Sequence, residues 1–413
     1  MLFTELKRKK HVFLPLLIVL SIVGFFLYTS SLAVTIRSTA SSAFPNIPAQ
    51  QPQQQAAQAG SQQRPLPKFE KLTFTDYDFD YTKVTYTSTN PKFTQGRKLH
   101  QDTQAVTYFP GKQTVLIMSV IGNSAPYGRD RDFGHFIKSI MTIAENQPDY
   151  IISLALLCNG DEEFSKIQKF FMDEAENNIE FLLTVFESIT LISAPFLDKN
   201  AGFERHERHR DSIQRLRRRL IAKSRNFLML HSLQVQQYVL TIDSDMVWFN
   251  EPERFIARFV NSGKDIVVPR VERPGLGDYD KNSWRGRRTK PSQEQLDKMD
   301  RNEWETWNYV PHDVKGEIYH FLTYLDNKDG EYEQHKDDPD YVVPLDSVGG
   351  AVLFMKSIVI KQGVIFPTSL IVGTTWDRSE GYDGIETEGV CYLAKPLGFS
   401  CWGMPNVVAH HTG

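Results

Sequence analysis

The chain has 413 residues, a formal net charge of −3 and 41% hydrophobic residues. This length accommodates one large α/β domain, or two small ones, together with non-globular segments. The near-neutral charge argues against a dedicated nucleic-acid-binding protein, which usually has a strong basic excess.

The amino terminus predicts a membrane anchor. Four basic residues at positions 7–10 precede an apolar run over residues 12–34, and a helix of about 20 residues crosses a bilayer. The basic flank places the tail, residues 1–11, in the cytosol and the rest of the chain in the lumen. A cleaved signal peptide ending near Ala33 is the alternative, but such peptides have shorter apolar cores, which favours an uncleaved anchor.

A low-complexity segment follows the predicted anchor. Residues 38–64 are rich in Gln, Ala, Ser and Pro and lack the large apolar side chains that offset the entropy of ordering. We therefore expect residues 35–100 to form a flexible lumenal stem and residues 101–413 to form the folded domain. This order of segments predicts a single-pass type II membrane protein.

Apolar segments in the folded part predict a doubly wound α/β sheet. Residues 114–121 and 149–157 are continuous apolar runs, typical of strands buried on both faces of a parallel sheet. Residues 133–146 between them have apolar side chains at helical spacing, and a later strand, Tyr238–Ile242, ends directly at Asp243. In such sheets ligands bind at the carboxyl ends of the strands.

Two carboxylates at the end of that strand are candidate metal ligands. Asp243 and Asp245 are two residues apart, so on an extended backbone their side chains point the same way. Mn²⁺ and Mg²⁺ favour such oxygen ligands and take the others from substrate phosphate and water. Asp-x-Asp occurs at five other places, but only this pair directly caps a predicted buried strand. An acidic turn without a ligand is the alternative.

A basic helix is expected over residues 208–233, before that strand. Its apolar stripe is expected to face the sheet and consists of Ile213, Leu216, Leu220, Phe227 and Leu230. Between residues 205 and 225 nine basic residues stand against two acidic ones, a charge that suits a diphosphate. The candidate nucleotide contacts are Arg218, Arg219, Arg225 and Asn226. A solvated basic helix, or one that contacts acidic lipid or a partner, is the alternative.

The carboxyl-terminal third contains a glycine pair and an acidic cluster. Gly349 and Gly350 begin a predicted buried strand, where they either let the backbone approach a bound nucleotide or make a tight turn. Asp383, Glu386 and Glu388 open a predicted helix. Acids in a first helical turn interact with the helix dipole, but they are also candidate catalytic groups.

Two histidines and two cysteines complete the candidate residues. His410 and His411 end an apolar stretch, and His411 is a candidate to complete a metal sphere with Asp245, the alternative being a structural role. Cys391 and Cys401 either pair in an oxidising lumen or stay buried and reduced, and the second reading is favoured.

These stretches, in this order, resemble one family, the fungal mannan polymerase subunits of the Golgi, glycosyltransferase family 62. The resemblance extends from about residue 114 to His411. Its most specific parts are the run Arg218-Arg-Leu-Ile-Ala-Lys-Ser-Arg-Asn226 and the run Glu386-Thr-Glu-Gly389.

The resemblance implies a GT-A type, single Rossmann-like domain with a mostly parallel sheet, and an enzyme that is a GDP-mannose-dependent mannosyltransferase. It implies Mn²⁺, or Mg²⁺, as the metal, with Asp243, Asp245 and His411 as the carried-over metal-site residues. The implied acceptor is α-1,6-linked mannan of glycoproteins, and the implied setting is a Golgi membrane complex with sister subunits. Because donor and product are both α-linked, the implied reaction is retaining, with the leaving diphosphate helping to deprotonate the acceptor hydroxyl.

Three alternatives remain open. The first is a catalytically weak or silent subunit that stabilises a mannosyltransferase complex, although the acidic residues are intact. The second is a transferase of the same fold that uses another nucleotide-sugar. The third is a metal-dependent hydrolase, for which the spacing of His, Asp and Glu offers no strong multi-ligand cluster.

Overall fold

The chain from Leu66 to Gly413 forms one compact unit. The computed structural model describes residues 68–94, 97–99, 106–108, 112–122, 125–173, 175–198, 211–275, 278–286, 291–301, 303, 319–327, 330–374 and 380–412. The predicted anchor at residues 12–34 lies outside these ranges. Within them, no helix has both the length and the apolar character needed to span a bilayer.

The described residues form an α/β fold. Its strands are β1 Phe69–Asp76, β2 Tyr81–Ser88, β3 Arg97–Leu99, β4 Val106–Tyr108, β5 Gln113–Ile121, β6 Tyr150–Cys158, β7 Ser188–Ser193, β8 Tyr238–Ile242, β9 Met246–Phe249, β10 Ile266–Glu272, β11 Trp284–Arg285, β12 Tyr319–His320, β13 Val343–Leu345, β14 Val352–Lys356 and β15 Cys401–His411. Its helices are α1 Pro91–Thr94, α2 Phe133–Ala144, α3 Asp161–Phe171, α4 Asn178–Val185, α5 Asp211–Ser232, α6 Pro252–Asn261, α7 Gln293–Asp300, α8 Phe321–Asp326, α9 Glu331–His335, α10 Ser357–Lys361 and α11 Thr387–Ala394.

An eleven-stranded sheet runs through the unit in the order β1-β2-β7-β6-β5-β8-β14-β10-β15-β13, with β9 paired to β15. Strands β7, β6, β5 and β8 are mutually parallel, and β10 is parallel to β15. The remaining pairings within this sheet are antiparallel. The expectation of a mostly parallel sheet is therefore wrong, because β14 enters between β8 and β10 in the opposite direction and two further strands extend the edge beyond β7.

The core lies on both faces of the central strands, as a doubly wound sheet requires. On β5, Val115 and Ile117 face helices α2, α3, α4 and α6, whereas Leu116 and Met118 face α5, α10 and α11. Successive side chains of a strand point to opposite faces of the sheet, so the continuous apolar run of β5 contributes buried side chains to both faces. The predictions of β5, β6, β8 and α2 from their apolar patterns are confirmed.

Three strands, β1, β2 and β3, and helix α1 lie where a flexible stem was expected. β1 and β2 form an antiparallel pair, and β2 extends the sheet beyond β7. The predicted start of the folded domain after residue 100 is therefore wrong, because β1 begins at Phe69, about thirty residues earlier. In β2 the side chains of Tyr81, Val84 and Tyr86 are buried although polar residues separate them, an alternation that a search for continuous apolar runs passes over.

Helix α5 turns a polar face toward the protein interior. Ala222, Arg225 and Met229 are buried, whereas Leu230 is 72% exposed and Leu216 is also exposed. The expectation that the stripe of Ile213, Leu216, Leu220, Phe227 and Leu230 would face the sheet is thus wrong for two of its members. The buried arginine explains the difference, because carboxylates on other elements surround it.

Candidate active site

The turn after β8 is fixed from several sides. The backbone N–H of Asp243 donates to the carbonyl of Ala351 at 2.8 Å, and that of Thr412 donates to the carbonyl of Asp245 at 3.1 Å. The hydroxyl of Ser244 donates to the carbonyl of Pro126 at 2.6 Å. Asp243 and Asp245 therefore leave the sheet at the carboxyl end of β8. This is where the strand order reverses, since β6 lies on one side of β5 and β8 on the other, and such switch points form ligand-binding crevices.

Arg225 joins Asp243 to the acidic cluster. Its guanidinium donates to Oδ1 of Asp243 at 2.7 Å, to Oε1 of Glu386 at 2.5 Å and to the carbonyl of Gly350 at 2.7 Å. Only 3% of the Arg225 side chain is exposed, and its charged end lies 5.5 Å from the ring centre of Phe366. Arg225, expected to contact a phosphate, is therefore fully engaged with protein carboxylates and a carbonyl.

Opposing effects determine the pKa of Asp243. Burial raises the pKa of its carboxyl, Arg225 opposes this, and Asp245 and Glu386 raise it further, so that the pKa is about 6. The carboxylates of Asp245 and Glu386 disfavour a further negative charge on Asp243. About 41% of the Asp243 side chain is nevertheless accessible, so the carboxylate lies in a recess open to a cation or a substrate.

Asp245 and His411 form the second part of the site. Nε2 of His411 lies 3.0 Å from Oδ2 of Asp245, and Nδ1 lies 2.6 Å from the carbonyl of Thr412. Burial lowers the pKa of His411, but the hydrogen bond and charge of Asp245 outweigh it and the pKa is raised. Tyr279 covers the imidazole at 4.1 Å between ring centres.

These residues fit a hard divalent cation. Oδ1 of Asp245 is buried and has no hydrogen-bond partner among the described residues. The contact of His411 Nδ1 with a carbonyl is the kind that orients Nε2 of a metal-bound histidine. The described residues contain no group of three or more His, Cys, Asp or Glu arranged around one metal position. The donor set that the structure brings together is thus the carboxylate of Asp245 and the imidazole of His411, which suits Mn²⁺ or Mg²⁺ completed by phosphate and water.

Gly349 and Gly350 let two charged side chains approach the backbone. A Cβ on Gly349 would overlap a carboxylate oxygen of Asp280, and a Cβ on Gly350 would lie 2.6 Å from Nη1 of Arg225. The two glycines thus make room for side chains of the protein itself, and the close approach of a bound nucleotide stays a prediction.

The other polar residues of α5 hold a carboxyl-terminal segment in place. Arg218 donates to Glu388 at 2.8 Å and Arg219 donates to Glu380 at 2.8 Å. The side-chain amide of Asn226 makes two hydrogen bonds with the backbone of Phe366. Carboxylates therefore compensate the charges of Arg218, Arg219 and Arg225, and the expected contact of these arginines with a diphosphate stays a prediction.

The three candidate catalytic acids occupy different environments. Asp383 is fully buried and accepts hydrogen bonds from the N–H of Gly384 and the hydroxyl of Tyr392. Glu386 has a backbone φ of 58°, a conformation that costs a non-glycine residue about 1–3 kcal/mol. Glu386 shares Arg225 with Asp243 and Glu388 pairs with Arg218, whereas the hydrogen bonds of Asp383 lie within its own segment.

Comparison with known proteins decides the family. Residues 94–369 match the family Anp1. The chain is also 33% identical over 309 residues to the mannan polymerase complex subunit mnn9 of Schizosaccharomyces pombe, covering 73% of this chain and 80% of that one. The chain belongs to the Anp1 family. The expected resemblance to the fungal mannan polymerase subunits is confirmed.

Other similarities are more distant. The mannan polymerase II complex anp1 subunit of S. pombe is 28% identical over 316 residues, and the match covers 73% of this chain and 64% of that subunit. A mannosyltransferase of Pyrobaculum calidifontis, solved with GDP-mannose and Mn²⁺, is 12% identical over 73% of this chain and 57% of its own length. Its TM-score of 0.34 is too low to carry an inference about this chain.

A cavity of about 600 Å³ in this Anp1-family chain is lined by residues that hydrogen-bond to the segment 244–246. It lies between the loop after β5 and the first turns of α2 and α3, and its lining includes Pro126, Arg131 and Glu163. Pro126 accepts the hydrogen bond of Ser244, and Arg131 donates to the carbonyl of Met246 at 3.1 Å. The cavity wall and the turn that carries Asp243 and Asp245 are therefore directly linked.

Three contributors escaped the sequence analysis. Asp280 accepts a hydrogen bond from the N–H of Ala351, the residue whose carbonyl holds Asp243. Tyr279 stacks on His411, and Trp248 stacks on His410. Tyr279 and Asp280 belong to a polar segment between strands, where no apolar periodicity singles them out.

Proposed function

We propose that the chain is a GDP-mannose-dependent mannosyltransferase with a GT-A type domain, which extends α-1,6-linked mannan on glycoproteins. One observation carries the proposal: at the switch point of the sheet, Asp245 contacts His411 and has a buried carboxylate oxygen without a hydrogen-bond partner among the described residues. Membership of a family whose relatives are named mannan polymerase subunits supports the choice of sugar.

Asp245 and His411 would hold Mn²⁺ or Mg²⁺, with the carboxylate of Asp243 two residues from Asp245 as the further candidate ligand. When bound, such an ion neutralises charge that develops on the departing diphosphate. The cavity beside the turn is the space that we assign to the nucleoside, because its walls are hydrogen-bonded to the residues around Asp245.

The protein's own groups position the reactants. Arg225 fixes Asp243 and Glu386 relative to each other across the recess. Glu386 and Glu388 place carboxylates where positive charge develops on the sugar during transfer, a preorganised electrostatic stabilisation. We propose that transfer is retaining and that the acceptor proton passes to the leaving diphosphate, so that no side chain of the acidic cluster needs to act as base.

The proposed setting is the Golgi membrane, with the domain in the lumen and residues 12–34 as a signal anchor. A disulfide joins Cys391 to Cys401, contrary to the expectation of reduced cysteines, and disulfides persist in oxidising compartments. The relatives named as subunits of mannan polymerase complexes motivate the further proposal that this chain assembles with sister subunits.

A silent structural subunit is the second candidate. The observation that favours it is the pairing of Arg218, Arg219 and Arg225 with carboxylates, which leaves these three cations less available to a diphosphate. The two candidates differ in whether the domain binds nucleotide and metal together.

Isothermal titration of GDP and of GDP-mannose, with and without Mn²⁺, tests the proposal. The protein is the compact unit from Leu66 onward, with Asp245→Asn as the test variant. Asp78→Asn is the control, because Asp78 also belongs to an Asp-x-Asp pattern but lies in the exposed turn between β1 and β2. Mn²⁺-dependent binding that is lost only in Asp245→Asn supports the transferase. Absence of binding by folded wild-type protein supports the silent subunit.

A further inference from the structure

Trp248 is an exposed aromatic side chain on a strand that is otherwise buried at both ends. It lies on β9, where Met246 is fully buried and Phe249 is 2% exposed, yet half of Trp248 is accessible to solvent. Its ring lies parallel to that of His410, with 3.6 Å between the ring centres and 6° between the planes. One face of the indole is therefore covered and the other is open.

Polar neighbours hold this stack in place. Nε2 of His410 lies 3.0 Å from Oδ1 of Asn250, and Nδ1 lies 3.6 Å from a carboxylate oxygen of Glu272. The backbone N–H of Asn250 donates to the carbonyl of Val408 on the partner strand β15. The indole is thus supported from beneath by a ring that is itself anchored, so little conformational entropy remains to be lost when a ligand covers the open face.

The stack lies close to the proposed transfer site. Trp248 follows Asp245 by three residues, which places their Cα atoms at most about 10 Å apart. His410 directly precedes His411, which contacts Asp245. The stack and the proposed metal ligands therefore lie at the same end of the paired strands β9 and β15.

We propose that the open face of Trp248 is an acceptor subsite, which binds a hexose ring of the mannan chain next to the mannose that receives the transferred sugar. This inference rests on the proposed function. A pyranose presents a face of C–H groups that is suited to a flat apolar ring, and its edge carries hydroxyls. Binding sites of this kind combine an aromatic surface with a few polar groups, and Asn250 and Glu272 supply polar groups beside the indole.

The surroundings favour a sugar over a protein partner. A protein interface would present a contiguous apolar patch, whereas the groups next to Trp248 are Asn250, His410 and Glu272. A docking surface for another subunit is accordingly the competing outcome of the test.

The test is titration of an α-linked mannotriose, in the presence of GDP and Mn²⁺, into the wild-type chain and two variants. Trp248→Ala removes the platform. Trp402→Ala is the control, because Trp402 is a partly exposed tryptophan at the opposite end of β15, where Lys264 rather than histidine covers its ring. We expect Trp248→Ala to raise the Kd for mannotriose about tenfold, as for loss of one well-packed aromatic contact, with the Kd for GDP unchanged.

A second measurement requires no folded alanine variant. In wild-type protein with ¹⁵N-labelled tryptophan, mannotriose is expected to shift the indole N–H signal that is missing from Trp248→Phe. An unchanged Kd in Trp248→Ala overturns the subsite, as does an unshifted signal at saturating mannotriose. Loss of a partner subunit from Trp248→Ala with unchanged sugar binding overturns it in favour of a docking surface. Mannotriose binding that depends on Trp248 without any nucleotide binding keeps the subsite and refutes the transferase.

Discussion

The guanidinium of Arg225 on helix α5 meets the carboxylate of Asp243 at 2.7 Å. The same guanidinium contacts Glu386, so that one buried cation connects the strand end that carries the proposed metal ligands to the start of helix α11. Its removal would leave the carboxylates of Asp243 and Glu386 without this shared partner.

Arg225→Ala is expected to lower the free energy of unfolding by about 3 kcal/mol, because breaking a buried ion pair leaves an uncompensated charge. We choose the lower end of the usual range because Asp243 retains 41% accessibility and can be solvated. Urea unfolding at neutral pH measures the change. Arg301→Ala is the matched control, since its pair with Glu303 is exposed, and we expect no measurable effect there. Equal stability of the two variants would contradict the role of Arg225.

Gly350→Ala is expected to displace Arg225, because the added Cβ would lie 2.6 Å from Nη1 and 3.1 Å from a methyl group of Thr387. We expect a loss of about 1–3 kcal/mol in the free energy of unfolding, the usual effect of overpacking, and weaker Mn²⁺-dependent binding of GDP. Gly122→Ala is the control, because a Cβ there meets nothing within 4 Å. Thermal unfolding and titration of GDP are the measurements, and a fully stable Gly350→Ala with normal binding would refute the proposed contact.

The sequence predicts the central sheet because strands that are buried on both faces have continuous apolar runs. β5, β6 and β8 are continuous apolar runs, and each ends at a glycine or a polar residue where the strand stops. The pair Asp243 and Asp245 could be distinguished from five similar patterns for the same reason, since only this pair follows a strand of that kind.

The orientation of α5 could not be predicted, because amphipathicity assigns charged residues to solvent. Arg225 is buried and Leu230 is 72% exposed, since ion pairs with Glu386 and Asp243 hold the polar face inward. Asp243 lies 18 residues and Glu386 161 residues from Arg225 along the chain. Periodicity within one helix contains no information about contacts over such separations, and the same holds for Asp280 and for the Trp248–His410 stack.

The disulfide between Cys391 and Cys401 is expected to show in thiol counts. The chain has three cysteines, and Cys158 is free and buried. Alkylation in denaturant without reductant should modify one thiol per chain, and prior reduction should raise this to three, as measured by intact mass. Changing both paired cysteines to serine should lower the free energy of unfolding by about 2–3 kcal/mol, because the disulfide closes a short loop. Three reactive thiols in unreduced protein from the secretory pathway would contradict the pairing.

His231 at the end of α5 is expected to make stability depend on pH. Its ring stacks on Phe227 at 4.2 Å between centres, and Lys83 donates to its backbone carbonyl at 2.6 Å. Burial lowers the pKa of the imidazole, and the charge of Lys83 lowers it further. The unfolded chain, with a histidine pKa of about 6.5, therefore binds a proton more readily than the folded chain. This contribution to stability is complete above about pH 6.5 and is lost as the pH falls toward the folded-state pKa.

His231→Phe keeps an aromatic ring against Phe227 and removes the titrating group. We expect the free energy of unfolding of the wild type, relative to this variant, to decrease between pH 7 and pH 5 with a slope of at most about 1.4 kcal/mol per pH unit, the limit for one proton. The other histidines are common to both proteins, so the difference isolates His231. Urea unfolding at a series of pH values measures it. A difference that stays constant with pH, or that changes in the opposite direction, would show that the folded protein does not disfavour the charged imidazole at this position.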